Sequence, residues 1–101
     1  MISMIAVILL SAAAGAQGGA VISQKEIGFH PRSITIPLGA EVVFRNEDPF
    51  GHNVYSPSQG GVFDIGLQEP FGETPVKFSQ AGEYTIMCRI HLKMRAKVIV
   101  K

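Results

Sequence analysis

Beyond residue 20 the apolar positions fall in short alternating runs rather than at helical intervals, and turn-forming residues separate the runs. Ala20 to Ile27 reads as a first strand. Ser33 to Pro37 alternates, with Ile34 and Ile36 on one face and Thr35 on the other. Leu38-Gly39 turns the chain into Glu41 to Asn46, where Val42 and Phe44 share a face opposite Val43 and Arg45. Asp48 to Gly51 breaks that strand, because Pro49 has no amide donor and Gly51 tolerates unusual torsions. His52 to Ser56 therefore reads as a strand of its own. Pro57 to Phe71 reads mostly as loop, with a short strand around Val62 to Ile65. Further on, Val76 and Phe78 alternate with Lys77 and Ser79, and Ala81-Gly82 makes a turn. Tyr84, Ile86 and Cys88 then share one face, with Thr85, Met87 and Arg89 on the other. Met94 to Lys101 closes the chain as a strand with Ala96, Val98 and Val100 inward. About seven or eight short strands in roughly 85 residues predict an all-β sandwich or barrel.

The head of the chain is different. Ile5 to Leu10 is an unbroken apolar run, and Ser11 to Ala16 follows with small residues ending in Ala14-Gly15-Ala16. That order predicts a signal peptide over residues 1–16, cut after Ala16, leaving a domain over residues 17–101. The apolar run falls short of the roughly 20 residues a bilayer span takes. No Lys or Arg precedes it, so an uncleaved membrane anchor and a buried N-terminal segment remain as alternatives. The absence of Cys near the cut excludes a lipid anchor there. Export implies a periplasmic protein with no stable membrane insertion after cleavage.

Composition narrows the function. The 101 residues allow one domain, and a net charge of +1 with no basic stripe argues against a nucleic-acid partner. A domain this small has a thin core and often depends on a disulfide, a metal or a partner. The chain has one cysteine, so no internal disulfide exists. The Cys88 thiol is therefore inert, paired to another chain, or used in chemistry.

Cys88, His91 and Met94 form C-x2-H-x2-M between two strands, and a turn there brings the three side chains toward one point. His52 begins an earlier strand; if the two strands are neighbours, its ring closes the site. A thiolate and a thioether are soft donors and imidazole is borderline, a set that suits copper. Zinc sites seldom use Met. Two His and one Cys in a trigonal set, with a long, weak axial Met, is the donor arrangement of blue-copper electron-transfer sites.

These residues, and much of the rest of the chain, resemble the cupredoxins, most closely the amicyanin and methylamine-utilisation type. The resemblance runs through Phe29-x-Pro31, Ile34-x-Ile36, Gly39, Val42-x-Phe44-x-Asn46-x-Asp48 and His52-Asn53-Val54. It continues in Phe63-Asp64, Phe78, Gly82-x-Tyr84 and Cys88-x-x-His91-x-x-Met94. It implies a Greek-key β-sandwich and one type 1 copper ion held by His52 and His91 as imidazoles, Cys88 as thiolate and Met94 as axial ligand. Asn53 would fasten the His52 loop to the Cys88 loop. The implied function is a monomeric, non-enzymatic shuttle of single electrons between redox partners, by analogy a quinoprotein dehydrogenase and a c-type cytochrome. A copper carrier or storage protein with the same ligands is the alternative, and a module that has lost its metal is a further one. Two departures stand out. Ile90 replaces a common Pro before the second His, and Arg95-Ala96-Lys97 stands where a Gly is common. Both bear on reduction potential and docking surface rather than on ligand identity.

Other candidates have plainer readings. His30, before Pro31, is expected to be exposed, and Met87 to pack on the outer layer. Tyr84 is expected to fill the core and anchor a turn through its hydroxyl. Arg89, Lys93 and Arg95 crowd around the site, either as a solvated rim or as a basic patch for an acidic redox partner.

Overall fold

The computed structural model describes residues 20–58 and 61–101; the expected signal segment, residues 1–16, lies outside the described residues. Among the described residues nine strands follow one another: β1 (Ala20–Gln24), β2 (Phe29–His30), β3 (Ser33–Ile36), β4 (Glu41–Asn46), β5 (His52–Ser56), β6 (Phe63–Gln68), β7 (Glu73–Lys77), β8 (Gly82–Met87) and β9 (Arg95–Val100). They form a four-stranded sheet ordered β2-β1-β4-β7 and a five-stranded sheet ordered β3-β9-β8-β5-β6. Two pairings are parallel, β1 with β4 and β3 with β9, and the others are antiparallel. The all-β sandwich expected from the alternation is present.

Period-2 spacing sends one face of each strand inward. Ile22, Val42 and Phe44 face the core from the smaller sheet, and Val54, Tyr84, Ile86, Val98 and Val100 from the larger. A row of aromatic rings runs through that core. Phe29 meets Phe44 with centroids 6.5 Å apart, Phe44 meets Phe63 at 6.4 Å, Phe63 meets Phe78 at 5.8 Å and Phe78 meets Tyr84 at 4.9 Å. The Tyr84 hydroxyl donates to the carbonyl of Gln80 at 2.7 Å, so the ring fills the core while its polar end fixes the turn before β8. Phe44→Ala removes a fully buried ring between two others. It is expected to cost about 3–5 kcal/mol, read as a lower urea midpoint at unchanged m-value.

Three boundaries differ from the sequence pattern, each for a tertiary reason. β1 ends at Gln24 rather than Ile27. There the Lys25 amide donates to the Gly28 carbonyl at 2.9 Å, and Glu26 and Ile27 take left-handed φ angles of 53° and 57°. The stretch read as mostly loop holds a six-residue strand, β6. Its pairing with β5 shifts register between Asn53 and Tyr55, and Gly66 adopts a φ of 76°. A glycine that suggests a loop thus accommodates a bulge inside a strand. Finally β7 spans Glu73–Lys77, and Phe78 lies beyond it, clamped to the β3–β4 turn by Gly39 N–H to Phe78 C=O and Phe78 N–H to Ala40 C=O. The count of nine exceeds the expected seven or eight chiefly through the two-residue β2.

Candidate metal centre

Two loops at one end of the sandwich carry the chemistry. Cys88 directly follows β8, and His91 and Met94 follow before β9 begins. The Met94 amide donates to the His91 carbonyl at 3.0 Å, which tightens that loop into a turn. His52 opens β5, and β5 is the hydrogen-bonded neighbour of β8 in the larger sheet. Adjacent strands therefore set His52 beside Cys88 although 36 positions separate them.

The result is a tight cluster. One ligand atom each from His52, Cys88 and His91 lies within 4.8 Å of the others. His52 Nδ1 and His91 Nδ1 are 3.2 Å apart, and Cys88 Sγ is 3.9 Å from His91 Nδ1. Bonds of about 2.0–2.3 Å to one shared ion span such separations. His52, Cys88 and Met94 are buried and His91 is half-buried, so the cluster meets solvent on the His91 side. Met94 is enclosed on the same loop at 1% exposure.

The surrounding hydrogen bonds orient these donors. His52 Nε2 lies 2.7 Å from Asp48 Oδ2. With the carboxylate accepting that N–H, the proton sits on Nε2 and the Nδ1 lone pair faces the cluster. Asp48 also accepts the amides of Glu26 at 2.8 Å and Ile27 at 3.1 Å, which explains the left-handed pair that ends β1. Burial pushes the Asp48 carboxyl up, but the His52 bond and the Ile27 and Glu26 amides outweigh it and hold the carboxyl below its ordinary range. Asn46 cradles the intervening turn, accepting the Asp48 amide at 2.9 Å and donating to the carbonyls of Phe50 and Glu69. Phe50 packs against both imidazoles, with centroids 5.4 Å from His52 and 5.7 Å from His91.

Around the sulfur, the Asn53 amide N–H points to Cys88 Sγ at 3.4 Å and the Arg89 amide donates to Asn53 Oδ1 at 3.1 Å. The expected fastening of the two loops by Asn53 is thus visible in the geometry. Asn53 Nδ2 in turn donates to Asp64 Oδ1 at 2.7 Å and to the Gly66 carbonyl at 2.9 Å. Arg89 pairs with Asp64 at 2.8 Å and lies over the Tyr55 ring, 3.9 Å from its centroid. Arg89, exposed but paired with Asp64, fits the solvated-rim reading, and its charge is offset where those of Lys93 and Arg95 have no such partner. His30 is exposed, as expected.

Hydrogen bonds from Arg89, Gly66 and Asn53 lower the Asp64 carboxyl to about 2 from 3.8. A carboxyl lowered on folding stabilises the native state above its unfolded value, and that contribution fades as pH falls from 3.8 toward 2. Solvent reaches both partners, with side chains 39% and 60% exposed, so the contribution is small. Asp64→Asn is expected to lower the stability of the metal-free protein by at most about 1 kcal/mol near neutral pH. The difference should shrink in acid, as measured by urea denaturation across that range.

Comparison with known proteins agrees with this picture. Residues 1–100 match the family model described as a cupredoxin-like domain. The chain is 37% identical over 87 residues to chloroplastic plastocyanin B of Populus nigra, a match covering 73% of this chain and 52% of that protein. It thus spans about half the length of that curated relative. Among solved structures, a reduced Cu(I) form of an amicyanin variant superposes with a TM-score of 0.77 at 23% identity, over 86% of each chain. A Cu-containing nitrite reductase from Thermus scotoductus SA-01 superposes at 0.80 and 25% identity, over 93% of this chain but 25% of the reductase. With the sandwich, the clustered donors and the family match in agreement, the chain belongs to the cupredoxin-like domain family.

Proposed function

We propose that this chain is a type 1 (blue) copper protein that shuttles single electrons, in which His52, Cys88, His91 and Met94 would hold one copper ion. The observation that carries this reading is the convergence of one ring nitrogen from each of two imidazoles and the chain's one thiol within 4.8 Å. Soft thiolate with imidazole fits copper, and Met94 adds a thioether on the same loop. Bound copper supplies the one-electron Cu(II)/Cu(I) couple.

The protein's share is positional. Asp48 fixes the His52 tautomer and ring angle, and the Asn53 amide stabilises negative charge on the Cys88 sulfur. Phe50 shields both rings from water. Because His52 and Asn53 lie on β5 and Cys88 directly follows β8, they move little when charge at the centre changes, and small rearrangement favours fast transfer. His91, on the more exposed side, is the route by which electrons enter and leave.

The wider reading follows from this one. Residues 1–16 serve as the export signal, and residues 17–101 form a monomeric periplasmic domain exchanging electrons with a quinoprotein dehydrogenase and a c-type cytochrome. We read it as a carrier rather than an enzyme, since the four donors proposed for the ion would leave no open position for a substrate. The test is to add Cu(II) to the mature protein and record its visible spectrum. One copper per chain and an intense band toward the red, bleached reversibly by reductant, are expected. A colourless complex would overturn the proposal, and colour without reversible reduction would favour the carrier or storage alternative.

A further inference from the structure

On the Met94 side of the centre, three segments enclose a concavity of about 350 Å³ whose wall includes Arg32, Lys93 and Arg95, with His30 beside them. Met94 itself forms part of the lining. A second concavity of about 410 Å³ shares Arg32 and Arg95 and extends toward Lys97. Every acidic residue of the chain lies among the described residues, so the pairing of these cations is fully visible. Arg45 pairs with Glu73, Arg89 with Asp64 and Lys97 with Glu83. Arg32, Lys93 and Arg95 have no carboxylate at ion-pair distance, and Glu26 is the one acid on the first concavity's wall.

We infer that this basic groove is a docking site for a carboxylate-rich segment of a redox partner protein, seated on the Met94 side of the centre. The partner's being a redox protein rests on the electron-transfer reading; the groove's preference for carboxylates does not. Three like charges gathered without ion-pair partners repel one another, and an acidic ligand relieves that repulsion. Two of the three are guanidinium groups, whose planar fork matches a carboxylate in two-point contact. Arg32 enters from the β2–β3 turn, and Lys93 and Arg95 from the end of the ligand loop and the start of β9. A concave wall built from separate segments suits an extended acidic stretch better than a flat bilayer.

The experiment titrates isotopically labelled protein, with and without copper, against a capped hexaglutamate peptide at low ionic strength and follows backbone amide shifts. Saturable shifts confined to Arg32, Lys93, Arg95 and their neighbours are expected, with affinity falling as salt rises. Arg32→Glu with Arg95→Glu should weaken binding at least about tenfold. Lys77→Glu with Lys101→Glu makes the same change in net charge away from the groove and should leave affinity within about twofold. Equal weakening by both double variants, or shifts scattered over the surface, would overturn the inference. So would equally tight binding of inorganic phosphate, or groove-dependent sedimentation with phosphatidylglycerol vesicles without saturable peptide binding. A protein that takes no copper but binds the peptide in this pattern would sink only the electron-transfer reading.

Discussion

Cys88→Ser is expected to abolish the red-end absorption of the copper-treated protein and most of the stabilisation that copper confers. The band arises from charge transfer between a thiolate and copper, and the chain has no second sulfur of that kind. Serine keeps the shape of the side chain but offers a hard, neutral oxygen where a soft anion is needed. A metal that binds only the native state stabilises it by about 4 kcal/mol at a thousand times its dissociation constant. In wild type that term should appear as a large rise in melting temperature on adding copper. In the variant the rise should nearly vanish, because two histidines and the weak thioether of Met94 hold the ion poorly. The metal-free variant should differ from wild type by only about 1 kcal/mol, since the Asn53 amide keeps an oxygen acceptor in place of Sγ. Retention of the same colour by the serine variant would show that the thiol is not a ligand, and the whole assignment would fall with it.

The residues that were legible in the sequence are those whose neighbours are local or repeat along a strand. Tyr84, Ile86 and Cys88 alternate onto one face, and all three are buried. His91 and Met94 sit within six positions of Cys88, so a single turn gathers them. His52 required one inference, that its strand lies beside β8, and the sheet order meets it. What escaped was anything that depends on a segment arriving from elsewhere. Asp48 read as part of a strand break; its role exists because the β1–β2 turn brings two amides to it from more than 20 positions away. Its spacing four residues before His52 was a partial signal, because Glu47 stands next to it and only the fold sends Glu47 to Ser23 and Asp48 to the ring. The pairing of Arg89 with Asp64 escaped for the same reason: the short strand expected around Val62 to Ile65 gives no sign of which strand it pairs with. Once β6 forms, Asp64 lies across from the Cys88 loop and claims the guanidinium.

Asp48 accordingly offers the sharpest structural test. Its two oxygens accept three donors: the Glu26 amide on Oδ1, and the Ile27 amide and His52 Nε2 on Oδ2. Asp48→Ala leaves all three without that partner at a site where the carboxylate is 5% exposed. The His52 donor is buried and costs about 1–3 kcal/mol when unpaired, the two amides are partly buried and cost less, and a total loss of about 2–4 kcal/mol is expected. Asp48→Asn preserves size but keeps one acceptor oxygen and turns an NH2 group toward the remaining donors, for a loss of about 1–3 kcal/mol. Both variants release the His52 ring from its fixed tautomer, and copper affinity should fall about 10–100-fold. The pH dependence has a definite sign. The carboxyl is held below 3.8 in the folded state, so its contribution is present above that value and drains away as pH falls through the lower, folded one. Urea midpoints of the metal-free proteins should therefore separate widely near neutrality and converge in acid. An alanine variant that matches wild type in both midpoint and copper affinity would show that the carboxylate neither braces the β1–β2 turn nor aims His52.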